Sequence, residues 1–164
     1  ADLRGQGRRS PRGGAGAAAG ATGRPGEPSR PHTARSSEGY EILVGRNNKQ
    51  NDMITKSAKP DDVWLHARQM PGAHVILRYP RAEGKPPRDW PPEASLIEAA
   101  ALAAHFSKGR GNTKVPVDYA FARHVWKPRG AKPGMVLYDH QKTVYVEPLN
   151  LLEQPADPTG STPQ

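Results

Sequence analysis

Six histidines, a pair of adjacent aspartates and a few serines are the residues of this chain that could carry covalent or metal chemistry. His66 and His74 are separated by a predicted turn, with Asp61-Asp62 just upstream. They meet only if a hairpin folds them together. His-Ala-Arg and Gly-Ala-His are not a diagnostic ligand pattern, and spacing alone does not set the short distances a metal requires. Ser57 and Ser107 fit an imagined catalytic triad equally well, and no G-x-S-x-G elbow singles either out. The chain has no cysteine, which excludes a thiolate zinc site, a cysteine nucleophile and a disulfide scaffold. The expectation is a protein without catalytic residues, resident metal or cofactor.

Polar binding suits these residue types better. GRNNKQND, Gly45 to Asp52, sets Arg46, Asn47, Asn48, Lys49 and Gln50 directly after the apolar run YEILV. Arginine and lysine reach phosphates, while amides either read base edges or hold backbone turns. A second group is Trp64, His66, Arg68 and His74. Period-two spacing puts Trp64, His66 and Arg68 on one strand face, with Val63, Leu65 and Ala67 on the other. Trp64 either stacks on a base or covers a core edge, and His66 bonds either a ligand or a backbone carbonyl. Lys108, Arg110 and Lys114 bracket small flexible residues in KGRGNTK, a pattern that lacks the P-loop sequence. It reads as phosphate docking or as a helix cap with a solvated loop. His124, Lys127, Arg129 and Lys132 form the last basic block, with prolines and glycines restraining its presentation.

Several short elements must position these groups. Tyr40 to Val44 reads as a strand and Asp52 to Ser57 as a second. Val63 to Ala67 and His74 to Tyr79 read as two more, around a turn at Pro71-Gly72. The proline-rich PRAEGKPPRDWPP reads as an exposed loop. Leu96, Ala99, Ala100, Ala103 and Phe106 or Ser107 have helical spacing in an alanine-rich stretch, predicting a helix from about Glu93 to Lys108 stopped by Gly109. Val117 to Tyr119 and His124 to Trp126 read as short strands. MVLY and TVYVE, separated by Asp139 to Lys142, read as a terminal hairpin.

Composition bounds the rest. The chain has 164 residues and a net charge of +8, enough for one domain and little more. Residues 1–37 hold seven arginines, much glycine and alanine, and almost nothing large and apolar. They cannot offset their ordering entropy by burial and are expected to be a disordered basic arm, either a linker or a phosphate tether. Residues 38–150 form the expected folded domain, and 151–164 a flexible polar tail. The domain itself carries 17 Lys and Arg against 12 Asp and Glu, so the basic character is not confined to the arm. Anionic partners are favoured, nucleic acid above a membrane, because no amphipathic helix accompanies the charge. No run reaches the ~18 apolar residues of a membrane span. AGAAAGA is expected to be too short for a signal-peptide core. A chain opening on Ala1 is expected of a processed product or a segment of a longer protein.

GRNNKQND, DVWLHARQMPGAHVIL and KPRGAKPGMVLY occur in family order, with the alanine-rich helical segment between the second and third. Through them the chain resembles the NFACT-R domain, over about Glu38 to Glu147. That domain is the C-terminal part of large ribosome-quality-control factors and also occurs in small standalone proteins. Full-length bacterial members also carry an older fibronectin-binding designation. The resemblance implies an RNA-binding module that engages tRNA or the obstructed large ribosomal subunit in the cytoplasm. It does not extend to untemplated tailing, because the NFACT-N, helix-hairpin-helix and coiled-coil parts of such factors have no match in this chain.

The expectation is an α+β fold: one domain with a mixed or antiparallel sheet and one main helix behind a basic arm. The function expected is RNA binding without covalent chemistry. The alternatives are an accessory protein-interaction module and a standalone nucleic-acid-binding domain uninvolved in tailing. The RNA-binding candidates are the sixteen residues named in the basic and amide blocks above.

Overall fold

The computed structural model describes residues 30–80 and 89–153. The chain runs through β1 (His32–Arg35), β2 (Glu41–Val44), α1 (Asn48–Ser57), β3 (Val63–Ala67) and β4 (Val75–Leu77). It continues through α2 (Glu93–His105), β5 (Val115–Phe121), β6 (Val125–Trp126), β7 (Leu137–Tyr138) and β8 (Lys142–Val146). Short 3₁₀ turns cover Ala122–His124 and Leu151–Glu153. Six strands form one sheet in the order β1-β2-β4-β3-β5-β8, with every neighbouring pair antiparallel. The α+β class holds, and the sheet is antiparallel throughout.

Period-two alternation sends the two sets of side chains to different layers. Ile42, Val44, Val63, Leu65, Val75, Leu77, Val115 and Val117 are fully buried in the cluster that contains α2. On the opposite face Leu43, Trp64 and Ile76 form a smaller cluster with Ile54 of α1, joined by Val125, Val136 and Tyr138. The sheet therefore lies between α2 on one side and α1 with the β6–β7 ribbon on the other.

The alanine-rich segment is helical as expected, but α2 ends at His105 rather than Lys108. Ser107 closes that end: its hydroxyl donates to Ala104 O at 2.7 Å and accepts from Gly109 N at 3.0 Å. Ala99 to Ala104 are buried all round, because the sheet covers one side and the chain's end covers another, with Leu149 N donating to Ala101 O. Leu151 and Leu152 pack on the same core, so the folded part runs past residue 150.

Four expectations are corrected. Asp52 to Ser57 is not a strand but the second half of helix α1, so a second, shorter helix accompanies α2 among the described residues. Gln50, Asn51 and Ile54 are the residues α1 buries, and two of the three are amides, which hides the apolar period that marks a helix. MVLY and TVYVE do not pair. β7 pairs with β6 and β8 with β5, because Val136 and Tyr138 bury one ribbon face in the small cluster. His124 belongs to a 3₁₀ turn, and only Val125 and Trp126 are strand. The arm expected to be disordered through residue 37 includes β1, which pairs residue for residue with β2 from His32 to Arg35. An edge strand is held by backbone hydrogen bonds, so it forms with little apolar content. The arm through residue 29, the loop at 81–88 and the tail from 154 lie outside the described residues. Trp90, at the end of that loop, stacks on Phe121 with ring centroids 4.2 Å apart.

Candidate nucleic-acid interface

The amides of GRNNKQND build the amino end of α1. Asn47 is the N-cap, its side chain accepting from Gln50 N at 2.9 Å. Gln50 reaches back, its Oε1 accepting from Arg46 N at 2.8 Å. The two side chains satisfy orphan donors reciprocally, as in a capping box. Asn51 Oδ1 accepts from His74 N at 3.0 Å, tying the helix to the sheet. Gly45 makes room for that bond, since a Cβ there would overlap Asn51 Oδ1. Gln50 and Asn51 are buried, while Arg46, Asn47, Asn48 and Lys49 are exposed on the rim.

A polar layer lies beneath. His74 is 2% exposed, and its Nδ1 accepts from Trp64 Nε1 at 3.2 Å and lies 3.0 Å from Thr55 Oγ1. With Nδ1 accepting, Nε2 carries the proton and donates to Gly134 O at 3.1 Å. Burial and the neighbouring His66 push the His74 pKa down to about 4. Burial also lowers that of His66, whose ring stacks on Trp64 at 5.7 Å. Tyr138 covers the Trp64 ring at 4.6 Å and donates to Asp118 at 2.7 Å; burial and this bond hold its hydroxyl protonated.

KPRGAKPG is latched onto this layer by Lys127. Its ammonium donates to Lys132 O at 2.6 Å and Met135 O at 3.1 Å and pairs with Asp52 at 3.3 Å. Asp52 also accepts from Gly134 N at 2.9 Å. Gly134 has φ +87 and a Cβ there would sit 2.5 Å from Asn48 Oδ1, so only glycine fits easily.

Two clefts open around this arrangement and share Asn48 and Gly72. One of ≈ 370 Å³ is lined by His32, Arg46, Asn47, Asn48, Gly72 and Phe106. The other, of ≈ 390 Å³, is lined among others by His66, Gln69, Met70, Met135 and Tyr138. The amino end of α1, where backbone donors and the positive helix dipole favour anions, faces the first. The turn of Pro71 and Gly72 bonds to the end of α2, Lys108 N donating to Pro71 O at 3.0 Å. This sets exposed Lys108 beside the Pro71–Gly72 wall, with Arg110 exposed two residues on and exposed Arg68 on the turn that carries Gln69.

The candidates therefore separate. Arg46, Asn47 and Asn48 line the clefts and His66 lines one half-buried, while exposed Lys49 and Arg68 adjoin lining residues in sequence, Lys108 is bonded to Pro71, and Arg110 stands exposed two residues beyond it. Gln50, Trp64 and His74 are interior and serve as cap, core and tether. Trp64, 1% exposed, cannot stack on a base. Lys127 is exposed but spent on the latch; Arg129 and Lys132 stand exposed on the loop it holds. Lys114 is exposed just before β5. His124 lies elsewhere, stacked on His140 at 4.3 Å. The imagined acid–histidine site does not assemble: Asp61 pairs with Arg123 at 2.6 Å and Asp62 with Arg78 at 3.1 Å. His32, Gln69 and Tyr138 line the clefts without having been singled out. Gln69 carries a positive φ of 56, which no local pattern announces.

The model of the NFACT protein RNA binding domain matches residues 30–139. This chain belongs to the NFACT-R family. The NFACT-R chain is 48% identical over 117 residues to the Rqc2 homolog RqcH of Bacillus subtilis, covering 71% of this chain and 19% of that protein. Against the ribosome quality control complex subunit NEMF homolog of Drosophila melanogaster it is 34% identical over 73 residues, 44% of this chain and 7% of the relative. The chain thus spans about a fifth or less of these relatives. Its fold matches the C-terminal part of the fibronectin/fibrinogen-binding protein of Streptococcus suis, with TM-score 0.66 and 38% identity. That match covers 78% of this chain and 49% of the other. No helix among the described residues is long and apolar enough to cross a membrane.

Proposed function

We propose that this NFACT RNA-binding domain engages tRNA or the obstructed large ribosomal subunit, as the RNA-docking part of a cytoplasmic quality-control factor. The observation that carries the reading is the pair of adjoining clefts at the amino end of α1. They combine in their lining the exposed amides Asn47 and Asn48, the half-buried imidazole of His66 and the guanidinium of Arg46, with exposed Lys49 and Arg68 next in sequence to lining residues and Lys108 bonded to Pro71. Phosphates would dock on the cations and the helix end, and Asn47, Asn48 and His66 would meet bases or 2′-hydroxyls. The domain would perform no covalent chemistry. The ribosome quality control name of the Drosophila melanogaster relative supports the ribosomal setting.

Direct binding of tRNA, rRNA fragments and duplex DNA at several salt concentrations tests this. The expected result is salt-dependent RNA binding that tRNA competes and duplex DNA does not. A folded protein that binds neither RNA nor ribosomes at low salt would overturn it.

A second reading, an accessory protein-interaction module, is favoured by the outer face of the β6–β7 ribbon. Trp126 and Leu137 are paired there, 45% and 49% exposed, beside Met135. Crosslinks on ribosomes that map only to protein would support it over RNA docking.

A further inference from the structure

The β6–β7 ribbon ends in three side chains that the RNA reading does not use. Asp139 N donates to His124 O at 3.1 Å, extending the pairing past Val125 and Tyr138. His140 then takes a left-handed backbone with φ +57, uncommon outside glycine. That turn brings its ring beside His124, centroids 4.3 Å apart and planes within 24°. Asp139 Oδ1 lies 3.0 Å from His140 Nδ1 and 3.6 Å from His124 Nδ1. The second separation is too long for a hydrogen bond. One donor atom from each of the three residues lies within 4.8 Å of the other two.

We propose that His124, Asp139 and His140 form a surface site for a divalent transition-metal ion of the Zn²⁺ type. Bonds of about 2.0–2.1 Å at tetrahedral angles place neighbouring donor atoms roughly 3.3 Å apart. The two nitrogen–oxygen separations, 3.0 and 3.6 Å, fall on either side of that edge. Two imidazoles and one carboxylate suit Zn²⁺, Co²⁺ or Ni²⁺, whereas Mg²⁺ and Ca²⁺ take oxygen ligands. Three protein donors leave a fourth position to water or to a ligand from solution. The other close histidine pair does not compete. His66 and His74 rings are 5.2 Å apart, but both His74 nitrogens are engaged, with Trp64 and Thr55 on one side and Gly134 on the other. His32 and His105 each contact Phe106 and contribute single imidazoles.

Calorimetric titration of the full chain with ZnCl₂, paired with Co²⁺ absorption, tests the site. The expected result is one saturable equivalent with tetrahedral Co²⁺ bands, absent with MgCl₂. The saturable phase is lost in His124→Asn and in His140→Asn and retained in His105→Asn. The His140 side chain is 69% exposed, so its variant keeps the fold even where His124→Asn lowers stability. Absence of saturable Zn²⁺ binding, or binding that survives both substitutions, overturns the proposal. Neither outcome depends on RNA.

Discussion

Trp64 Nε1 donates to His74 Nδ1 at 3.2 Å, and this bond fixes the neutral tautomer of the imidazole at the centre of the polar layer. Because Nδ1 accepts, Nε2 is the donor, and it holds Gly134 and with it the KPRGAKPG loop. One core tryptophan thereby sets the position of a loop that closes the cleft.

Acid should therefore loosen the domain. His74 has a folded pKa of about 4 against an ordinary 6.5, so below pH 6.5 the unfolded chain binds a proton that the folded chain refuses. Stability is full above pH 6.5, falls as pH drops towards 4 and levels off below it. The loss amounts to roughly 3 kcal/mol, and burial of His66 adds in the same direction. Urea midpoints across this range should fall in the natural chain. They should be flatter in His74→Asn; an unchanged slope there would assign the effect to other groups.

Trp64→Ala removes a buried ring and should cost about 3–5 kcal/mol by urea denaturation. Trp64→Phe keeps most of the ring and removes the donor. It should cost about 1 kcal/mol beyond the size change, because Thr55 remains beside His74 Nδ1.

Asn47→Ala and Gln50→Ala should each lower stability by about 1 kcal/mol through the lost cap. At temperatures where the variant is folded, Gln50→Ala should bind RNA with unchanged affinity. A selective loss of affinity at unaltered stability would return Gln50 to the binding surface.

Replacing both Arg46 and Lys49 by Gln tests the cleft's electrostatics. The slope of log affinity against log salt should become shallower by about 1–2. An unchanged slope would move the footprint to the Lys108 and Arg110 side.

Gly134→Ala should unseat the KPRGAKPG loop at a cost of about 1–3 kcal/mol, since alanine is strained at φ +87 and its Cβ meets Asn48. Hydrogen exchange of residues 131–136 should accelerate. Adding Asn48→Ala removes the Oδ1 and Cγ contacts but leaves the residue 48 Cβ at 3.0 Å and the backbone strain, so recovery should be partial.

Much of the frame was legible in the chain. Val63 to Ala67 reads as a strand with Val63, Leu65 and Ala67 on one face and Trp64 and His66 on the other, and the alanine run gives α2, because both periods are written in apolar residues. Helix α1 was not legible, since the residues it buries include Gln50 and Asn51, whose burial follows from hydrogen bonds to Arg46 and His74. The site was legible as a set of polar blocks but not as a surface. Asn47 and Asn48 look no different in sequence from Gln50 and Asn51, and only burial separates them.

By itself the sequence determined the alternation of Val63 to Ala67, the alanine helix, the basic balance and the three motifs that carry the family. These are local periods and residue identities, and they survive any rearrangement of the chain. Tertiary structure decided that Leu137 pairs with Trp126 rather than with the strand that follows, that Trp64 belongs to the core, and that His140 turns back onto His124. Each outcome depends on contacts between residues far apart or on one backbone torsion. Burying Val125 and Tyr138 on the sheet favours the ribbon over the hairpin, and that competition is settled only when the layers meet.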